Sequence, residues 1–339
     1  MQERQDRHVL DAALPAHWGT WQRVKNTALY GIIRASFAIF RLIPFPIARG
    51  IAVFVGNLAA LVDWRDQRRA LANLAIAFPE ASRTWRFGVF RRMFVHLAIS
   101  AVEVIHTERF MTGPHAIAVS DEGRRLLDQA LAEGHGAVLV GGHIGNWEIC
   151  GQLIAKAGYP ITSIAKPLYD PRLTRLVHVH RSAYGHRILW RGDAGVAKEI
   201  LRLFKHNGVL GLLIDQDTKV QGTFVPFFGK PAYTPTAAAS FALRTGAAVL
   251  CAWAHRVDGV HQIHFERCPL PQADDHDAAV ALLTAHLSAR LEAAIRARPE
   301  QWVWLHQRFK TKATSVDTEA AALNNRVRAV SNGLGGTTP

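Results

Sequence analysis

Four short apolar runs, at residues 137–140, 161–165, 209–214 and 247–253, alternate through the middle of the chain with stretches of helical periodicity such as 123–132 and 196–206. Runs of this length are too short to be spanning helices, and lacking polar alternation they read as strands buried on both faces. Strand and helix taking turns in this way imply an α/β sheet with parallel neighbours. Ligands of such sheets sit beyond the carboxyl ends of the strands, so the residues that follow each run are the first place to look for chemistry.

The first third of the chain differs. Residues 28–62 are apolar almost throughout but are interrupted by Arg34, Arg41 and Arg49 and by Pro44 and Pro46. The longest uncharged stretch, 50–62, has thirteen residues, short of the roughly 20 that a straight spanning helix requires. Arg34 and Arg41 lie seven apart, within about 20° of each other on a helix, so one basic stripe marks an otherwise apolar surface. That pattern describes an element lying in a membrane interface; a buried helical hairpin broken at Pro44 is the competing reading. Residues 64–108 continue with helical spacing. The expected organisation is a flexible segment at 1–20, a basic helical membrane-associating region at 21–110, an α/β domain at 111–312, and a flexible tail at 313–339 that is poor in large apolar groups.

Charge narrows the partners. Lys and Arg outnumber Asp and Glu by 40 to 27, and residues 1–92 hold fourteen of the basic residues against six acidic ones. Basic and apolar character together favour an anionic membrane surface over nucleic acid, which is not expected as a partner. Cys150, Cys251 and Cys268 show no CxxC spacing, and no secretory leader pattern opens the chain, so a reducing, cytoplasmic setting is expected.

The stretch GGHIGNWEIC, Gly141 to Cys150, follows the first apolar run directly. Gly145 and Asn146 are loop and N-cap types, so a helix is expected to start at Trp147. His143 and Glu148 are five apart, about 140° around a regular helix, so they can meet only if His143 is still in the turn. A carboxylate reaching back to the imidazole would fix its tautomer and raise its basicity. With no serine or cysteine nucleophile in the motif, such a pair suits a general base acting on an incoming hydroxyl or amine. A core histidine beside a helix N-terminus satisfies the same spacing. No metal is expected, because HxxxxE lacks the paired histidines of a zinc helix; His178, His180, His186, His261 and His264 show no ligand spacing either.

Several ordered motifs, together spanning residues 20–312, resemble the bacterial lipid A biosynthesis acyltransferases, the family of late lauroyl and myristoyl transferases. They are the His143-Ile-Gly-Asn-Trp-Glu148 segment after its two glycines, Asn73-Leu74 with Phe78-Pro79-Glu80, Leu213-Ile-Asp-Gln-Asp217, Val225-Pro-Phe-Phe-Gly-Lys-Pro231, and Pro299-Glu-Gln-Trp-Val-Trp-Leu-His306 with Arg308-Phe-Lys310. The resemblance implies a mixed, largely parallel sheet flanked by helices, and transfer of a fatty acyl chain from acyl carrier protein to a hydroxyl of a lipid A precursor at the cytoplasmic face of the inner membrane. It implies no cofactor beyond the acyl-thioester co-substrate, and makes His143 the base with Glu148 as its partner. Arg181 matches an arginine of the family pattern, although Lys166-Pro167 and Asp170-Pro171 stand in place of its preceding element. A guanidinium there would bind phosphate or steady an oxyanion; an exposed helix charge is the plainer reading.

The remaining candidates are weaker. Asp215, Gln216 and Asp217 follow a strand and suit contacts to the acceptor or to loop backbone, and Asn146 lies inside the motif. Phe227, Phe228 and Gly229 are candidates for the wall of an acyl slot or for ordinary core. Trp302, Trp304 and His306 would share one face of a strand, at a membrane rim or closing the end of the sheet. Two other functions fit the same residues: acylation of a phosphatidylinositol mannoside or lysophospholipid from acyl coenzyme A, and a non-catalytic basic protein that binds membranes or nucleic acid.

Overall fold

The structure is a computed structural model that describes Val9 and residues 13–193, 195–273 and 275–314. The expected flexible tail, apart from its first two residues, and most of the segment 1–20 lie outside the described residues. Within that segment Trp18 is buried and stacks on Tyr169 with ring centroids 5.3 Å apart.

The N-terminal part carries helices α1 (Thr20–Leu42), α2 (Phe45–Val62), α3 (Trp64–Ala77), α4 (Arg83–Ile105) and the short α5 (Thr107–Met111). Pro44 separates α1 from α2 as its ring chemistry requires, and Asp63 and Ser82 cap α3 and α4 by accepting from Asp66 and Trp85 backbone N–H groups. The α/β part follows as α6 (Asp121–Ala132), β1 (Ala137–Gly141), α7 (Trp147–Lys156), β2 (Ile161–Ala165), α8 (Pro171–Ser182), β3 (Arg187–Trp190), α9 (Val196–Lys205) and β4 (Val209–Leu213). A hairpin of β5 (Gly222–Phe227) and β6 (Lys230–Pro235) precedes α10 (Ala237–Thr245), β7 (Ala248–Val257), β8 (Val260–Cys268) and α11 (His276–Ala297).

The main sheet runs β3-β2-β4-β1-β7-β8, with every pairing parallel except β7 with β8. Alternation divides the core. Val138 and Val140 of β1 face Leu74, Phe90, Leu283 and Leu287 of α3, α4 and α11, whereas Ala137 and Leu139 face Leu127, Ile149 and Leu153 of α6 and α7. Each buried Val, Leu, Ile or Phe among them contributes about 2 kcal/mol of transfer free energy.

Helix α2 stands apart from this burial. Ala48, Ala52, Gly56 and Ala60 pack inwards, while Ile47, Ile51, Phe54, Leu58, Leu61 and Val62 form an exposed apolar stripe. By length and composition α2 is able to cross a membrane and is 22% buried; α11 passes the same test but is 61% buried and serves as a core helix. Helix α1 continues the exposed apolar surface with Trp21, Val24, Ile32, Phe37, Ile39 and Leu42.

A buried ionic network fastens the N-terminal helices to the sheet. Glu103 of α4 accepts from Arg256 of β7 through Nε at 2.8 Å and Nη2 at 2.5 Å, and from the side-chain amide of Asn146 at 2.9 Å. The same guanidinium meets His96 at 2.8 Å and Ser100 at 3.0 Å. Burial raises the Glu103 carboxyl, but hydrogen bonds from His261 and Arg256 overcome it and hold the group at about 2; burial and the Arg256 charge press His96 down to about 3. Removing one partner strands a desolvated charge. Glu103→Ala is therefore expected to lower unfolding stability by about 3–5 kcal/mol, measured by denaturant titration in detergent, whereas Glu133→Ala, at a surface pair with Arg267, is expected to cost less than about 1 kcal/mol.

Candidate active site

The site is assembled by strand register. β1 and β4 pair in parallel with Gly141 opposite Leu213, so the residue two beyond each strand, His143 and Asp215, arrives at the same place. His143 lies in the turn before α7, which starts at Trp147 with the Asn146 side chain accepting from the Ile149 N–H. The Asp215 carboxylate is fully buried and takes three donors: the His143 backbone N–H at 2.6 Å and the Trp302 indole N–H at 2.8 Å on Oδ2, and His143 Nδ1 at 2.8 Å on Oδ1. A Cβ on Gly142 would stand 3.1 Å from Oδ2, so glycine there lets the carboxylate approach. Gly145 has φ +61° and faces the Ala254 carbonyl at a distance no Cβ tolerates.

An ionised carboxylate only accepts, so the proton of neutral His143 is on Nδ1 and the lone pair on Nε2. Burial presses the His143 pKa down, but the Asp215 charge and hydrogen bond and the Glu148 charge outweigh it, and the net direction is up. Asp215 is held well below the usual carboxylate range despite its burial, by the His143 charge and hydrogen bond. Gln216 places its side-chain nitrogen 3.2 Å from His143 Nε2 and 3.0 Å from His306 Nε2. Burial lowers His306 to about 4, so it stays neutral near pH 7.

The expected contact between His143 and Glu148 does not form: among the described residues they share no hydrogen bond. Helix α7 carries Glu148 to the side of α8, where Arg181 donates from Nε at 2.7 Å and Nη2 at 2.5 Å, and Trp147 donates from its indole at 3.0 Å. Burial raises the Glu148 pKa, the Arg181 hydrogen bonds and charge lower it, and the net direction is down. Arg181 is thus a half-buried bidentate partner with 20% of its side chain exposed, not a free surface charge. Glu148 acts on His143 through its charge alone.

Beside this turn a cavity opens between the sheet and α7. Glu148, Arg181 and Trp147 line it together with Ile144, Ile154, Ile161, Leu212 and Ala252. Gly142 and Ile144, on either side of His143, belong to the same wall. The lining also contains Ser163 and His186, hydrogen-bonded at 2.8 Å, with burial holding His186 at about 4. Cys150 lines it too, but burial pushes its thiol to about 12, which leaves no thiolate.

Other sequence candidates lie elsewhere. Phe228 and Gly229 do not line this cavity. Phe228 is buried against Phe78, Phe227 and Trp304, and its N–H donates to Glu292, while Gly229 turns the β5–β6 hairpin. Residues 301–306 form no strand beyond a single bridge of Trp302 to Ile144, and Trp302 and Trp304 are 1% exposed, so they close the core and form no membrane rim. Asp217 binds the backbone N–H and hydroxyl of Thr311 and the Lys310 ammonium, and Arg308 is buried on the Tyr233 carbonyl and Thr234 hydroxyl. These contacts secure the C-terminal segment.

His143, Asp215 and His306 offer ligand atoms within 4.8 Å of one another. Each takes part in the hydrogen-bond network just described, which accounts for their proximity. For Trp302 and His306 the sequence signals are their spacing in QWVWLH and their place in a family-like motif; neither points to a contact with Asp215 or Gln216.

The model of the bacterial lipid A biosynthesis acyltransferase family matches residues 22–311. A phosphatidylinositol mannoside acyltransferase of Mycobacterium tuberculosis (strain CDC 1551 / Oshkosh) is 30% identical over 188 residues, covering 54% of this chain and 57% of that protein, so the match spans less than three fifths of that relative. A lipid A biosynthesis myristoyltransferase of Escherichia coli (strain K12) is 24% identical over 305 residues and 88% of each chain. A palmitoleoyltransferase of the same pathway and strain is 23% identical over 88% of this chain and 93% of its own. With its family pattern matched from the first helices to the C-terminal segment, the chain belongs to the bacterial lipid A biosynthesis acyltransferase family.

Proposed function

We propose that the protein is a membrane-associated O-acyltransferase that moves a fatty acyl chain from an acyl carrier protein thioester to a hydroxyl of a lipid A precursor. The observation that carries this reading is the His143–Asp215 pair set beside an apolar cavity. The pair leaves the imidazole lone pair on Nε2, where the Gln216 side-chain nitrogen stands 3.2 Å away; a substrate hydroxyl that displaces this contact gives its proton there as its oxygen attacks the thioester carbonyl. The thiolate leaving group departs with that proton or one from solvent, and no acyl-enzyme is formed. Asp215 orients the imidazole and stabilises its cation, the part the sequence had assigned to Glu148.

Glu148 remains at the site through Arg181. Two of the five guanidinium N–H groups are spent on that carboxylate, leaving donors for a phosphate of either substrate or for the developing oxyanion. The apolar lining suits the acyl chain. The exposed faces of α1 and α2 suit a membrane interface, with the inner membrane's cytoplasmic leaflet as the proposed location and acyl carrier protein, acidic as a class, as the proposed donor. The match to a phosphatidylinositol mannoside acyltransferase supports a second reading, in which a mannoside is the acceptor and acyl coenzyme A the donor.

The deciding experiment incubates the full-length protein in detergent with each donor and each acceptor, and reads product masses. Acyl transfer to the lipid A precursor from the carrier protein supports the first reading; transfer only to the mannoside supports the second. His143→Ala is expected to abolish transfer with an unchanged circular dichroism spectrum, and near-normal turnover in that variant would remove the base assignment. Asp215→Asn is expected to lower kcat by about three to four orders of magnitude, as loss of the orienting acid does in a Ser-His-Asp triad.

The pH profile provides a separate check. The base must be neutral, so activity falls as pH drops through the His143 pKa, and because that pKa is raised, the acid limb of kcat/KM is expected above the ordinary imidazole value of about 6.5. In Asp215→Asn, residual activity should show that limb moved to lower pH. A limb unmoved by the substitution would mean that another group is titrating.

A further inference from the structure

A second cleft lies on the α2 and α4 side of the catalytic turn and shares no lining residue with the acyl cavity. Its walls carry Arg49 and Asn57 of α2, Arg91 and Arg92 of α4, and Arg256 of β7, with Gln301 and Glu300 at one edge. Arg256 is neutralised by Glu103. Arg49, Arg91 and Arg92 form no ion pair or hydrogen bond among the described residues, so with Glu300 counted the cleft keeps an excess of positive charge. Three guanidinium groups lining one hollow with a single carboxylate at its edge leave a net positive charge, which an anion bound there offsets.

The location indicates which anion. Arg49 and Asn57 are two turns apart on α2, about 80° from each other around the helix; Asn57 lies on the flank between the buried alanines and the exposed apolar stripe, and Arg49 lies near the helix start on the side that carries Gly56 and Ala60 further along. A group bound in the cleft is therefore beside the surface that α2 offers to acyl chains, at the depth where snorkelling arginines meet phosphates. We propose that this cleft is a binding site for the headgroup phosphate of an anionic phospholipid of the surrounding bilayer, separate from the substrate site. Arg49, Arg91 and Arg92 bind the phosphate oxygens, and Asn57, whose side-chain amide gives one N–H to the Val53 carbonyl at 2.7 Å, has a second N–H for the headgroup.

The cleft also touches the catalytic turn from behind. Gly145, two residues beyond His143, donates its N–H to the Gln301 carbonyl at 2.8 Å, and the Gln301 side chain pairs with the Arg256 backbone at 2.8 Å in both directions. A lipid in the cleft thus rests against Gln301 and Arg256, which hold the turn.

The test is a binding measurement on the full-length protein that does not depend on turnover, so its failure is distinct from failure of the proposed reaction. Isothermal titration would use dihexanoyl phosphatidylglycerol below its micellar concentration, with dihexanoyl phosphatidylcholine, inorganic phosphate and glucosamine 1-phosphate as further arms. Phosphatidylglycerol is expected to bind at least about tenfold more tightly than the other three, and Arg91→Gln with Arg92→Gln to weaken it by about tenfold or more, the loss of one or two charge-assisted hydrogen bonds. Arg49→Gln, on the opposite wall, should act in the same direction.

The control pair Lys198→Gln with Lys205→Gln removes the same charge from α9 and should leave the affinity unchanged. Equal loss in the control would overturn the proposal in favour of diffuse attraction. Equal affinity for free phosphate or for phosphatidylcholine would also overturn it, and tighter binding of glucosamine 1-phosphate would assign the cleft to the acceptor instead.

Discussion

One buried carboxylate organises the candidate active site of this protein. Asp215 has lost its water entirely, and an isolated charge in that position would be too costly to keep. It remains ionised because the chain brings three N–H donors to it, two from His143 and one from Trp302. Those donors come from different parts of the sequence, so satisfying one side chain joins the end of β4, the turn after β1 and the C-terminal segment. Asp217, two residues on, anchors the same segment through Thr311 and Lys310, and the two aspartates thereby divide the labour: the first serves the imidazole, the second the chain that covers it.

A second buried ion pair extends this arrangement towards the N-terminal helices. The Asn146 side chain caps α7 with its oxygen and binds Glu103 of α4 with its nitrogen. The helix bearing Glu148 therefore cannot shift without disturbing the layer that presents α2, and the surface helices and the turn that carries His143 form one mechanical unit. Replacing such a network by apolar groups is often harmless to stability elsewhere; here its geometry also sets where the turn lies.

Much of this was legible from the residues. The four apolar runs are β1, β2, β4 and β7, Pro44 divides α1 from α2, and Asn146 caps a helix that begins at Trp147. The rest depended on pairing across the sheet. Nothing local in Leu213-Ile-Asp says that β4 lies beside β1 with Gly141 opposite Leu213, and without that register the partner of His143 is sought five residues away in Glu148 instead of 72 away in Asp215. The strand β3 is only four residues long and β8 alternates half-exposed positions, so neither has a clear apolar run. The aromatic residues at 227–228 and 302–304 have composition suited to a lipid slot or to a core, and only their mutual packing distinguishes the two.

The three cysteines, uninformative as a sequence pattern, matter for how the molecule can be studied. All are buried and unpaired, and burial raises Cys150 to about 12, Cys268 to about 11 and Cys251 well above the ordinary thiol value. At neutral pH the folded protein therefore presents almost no thiolate to a labelling reagent. A single cysteine introduced along the outer stripe of α2 would carry a spin or fluorescent label alone, without first stripping the native thiols from the core, and its quenching by lipid-soluble and water-soluble agents would read the depth of each position in a bilayer.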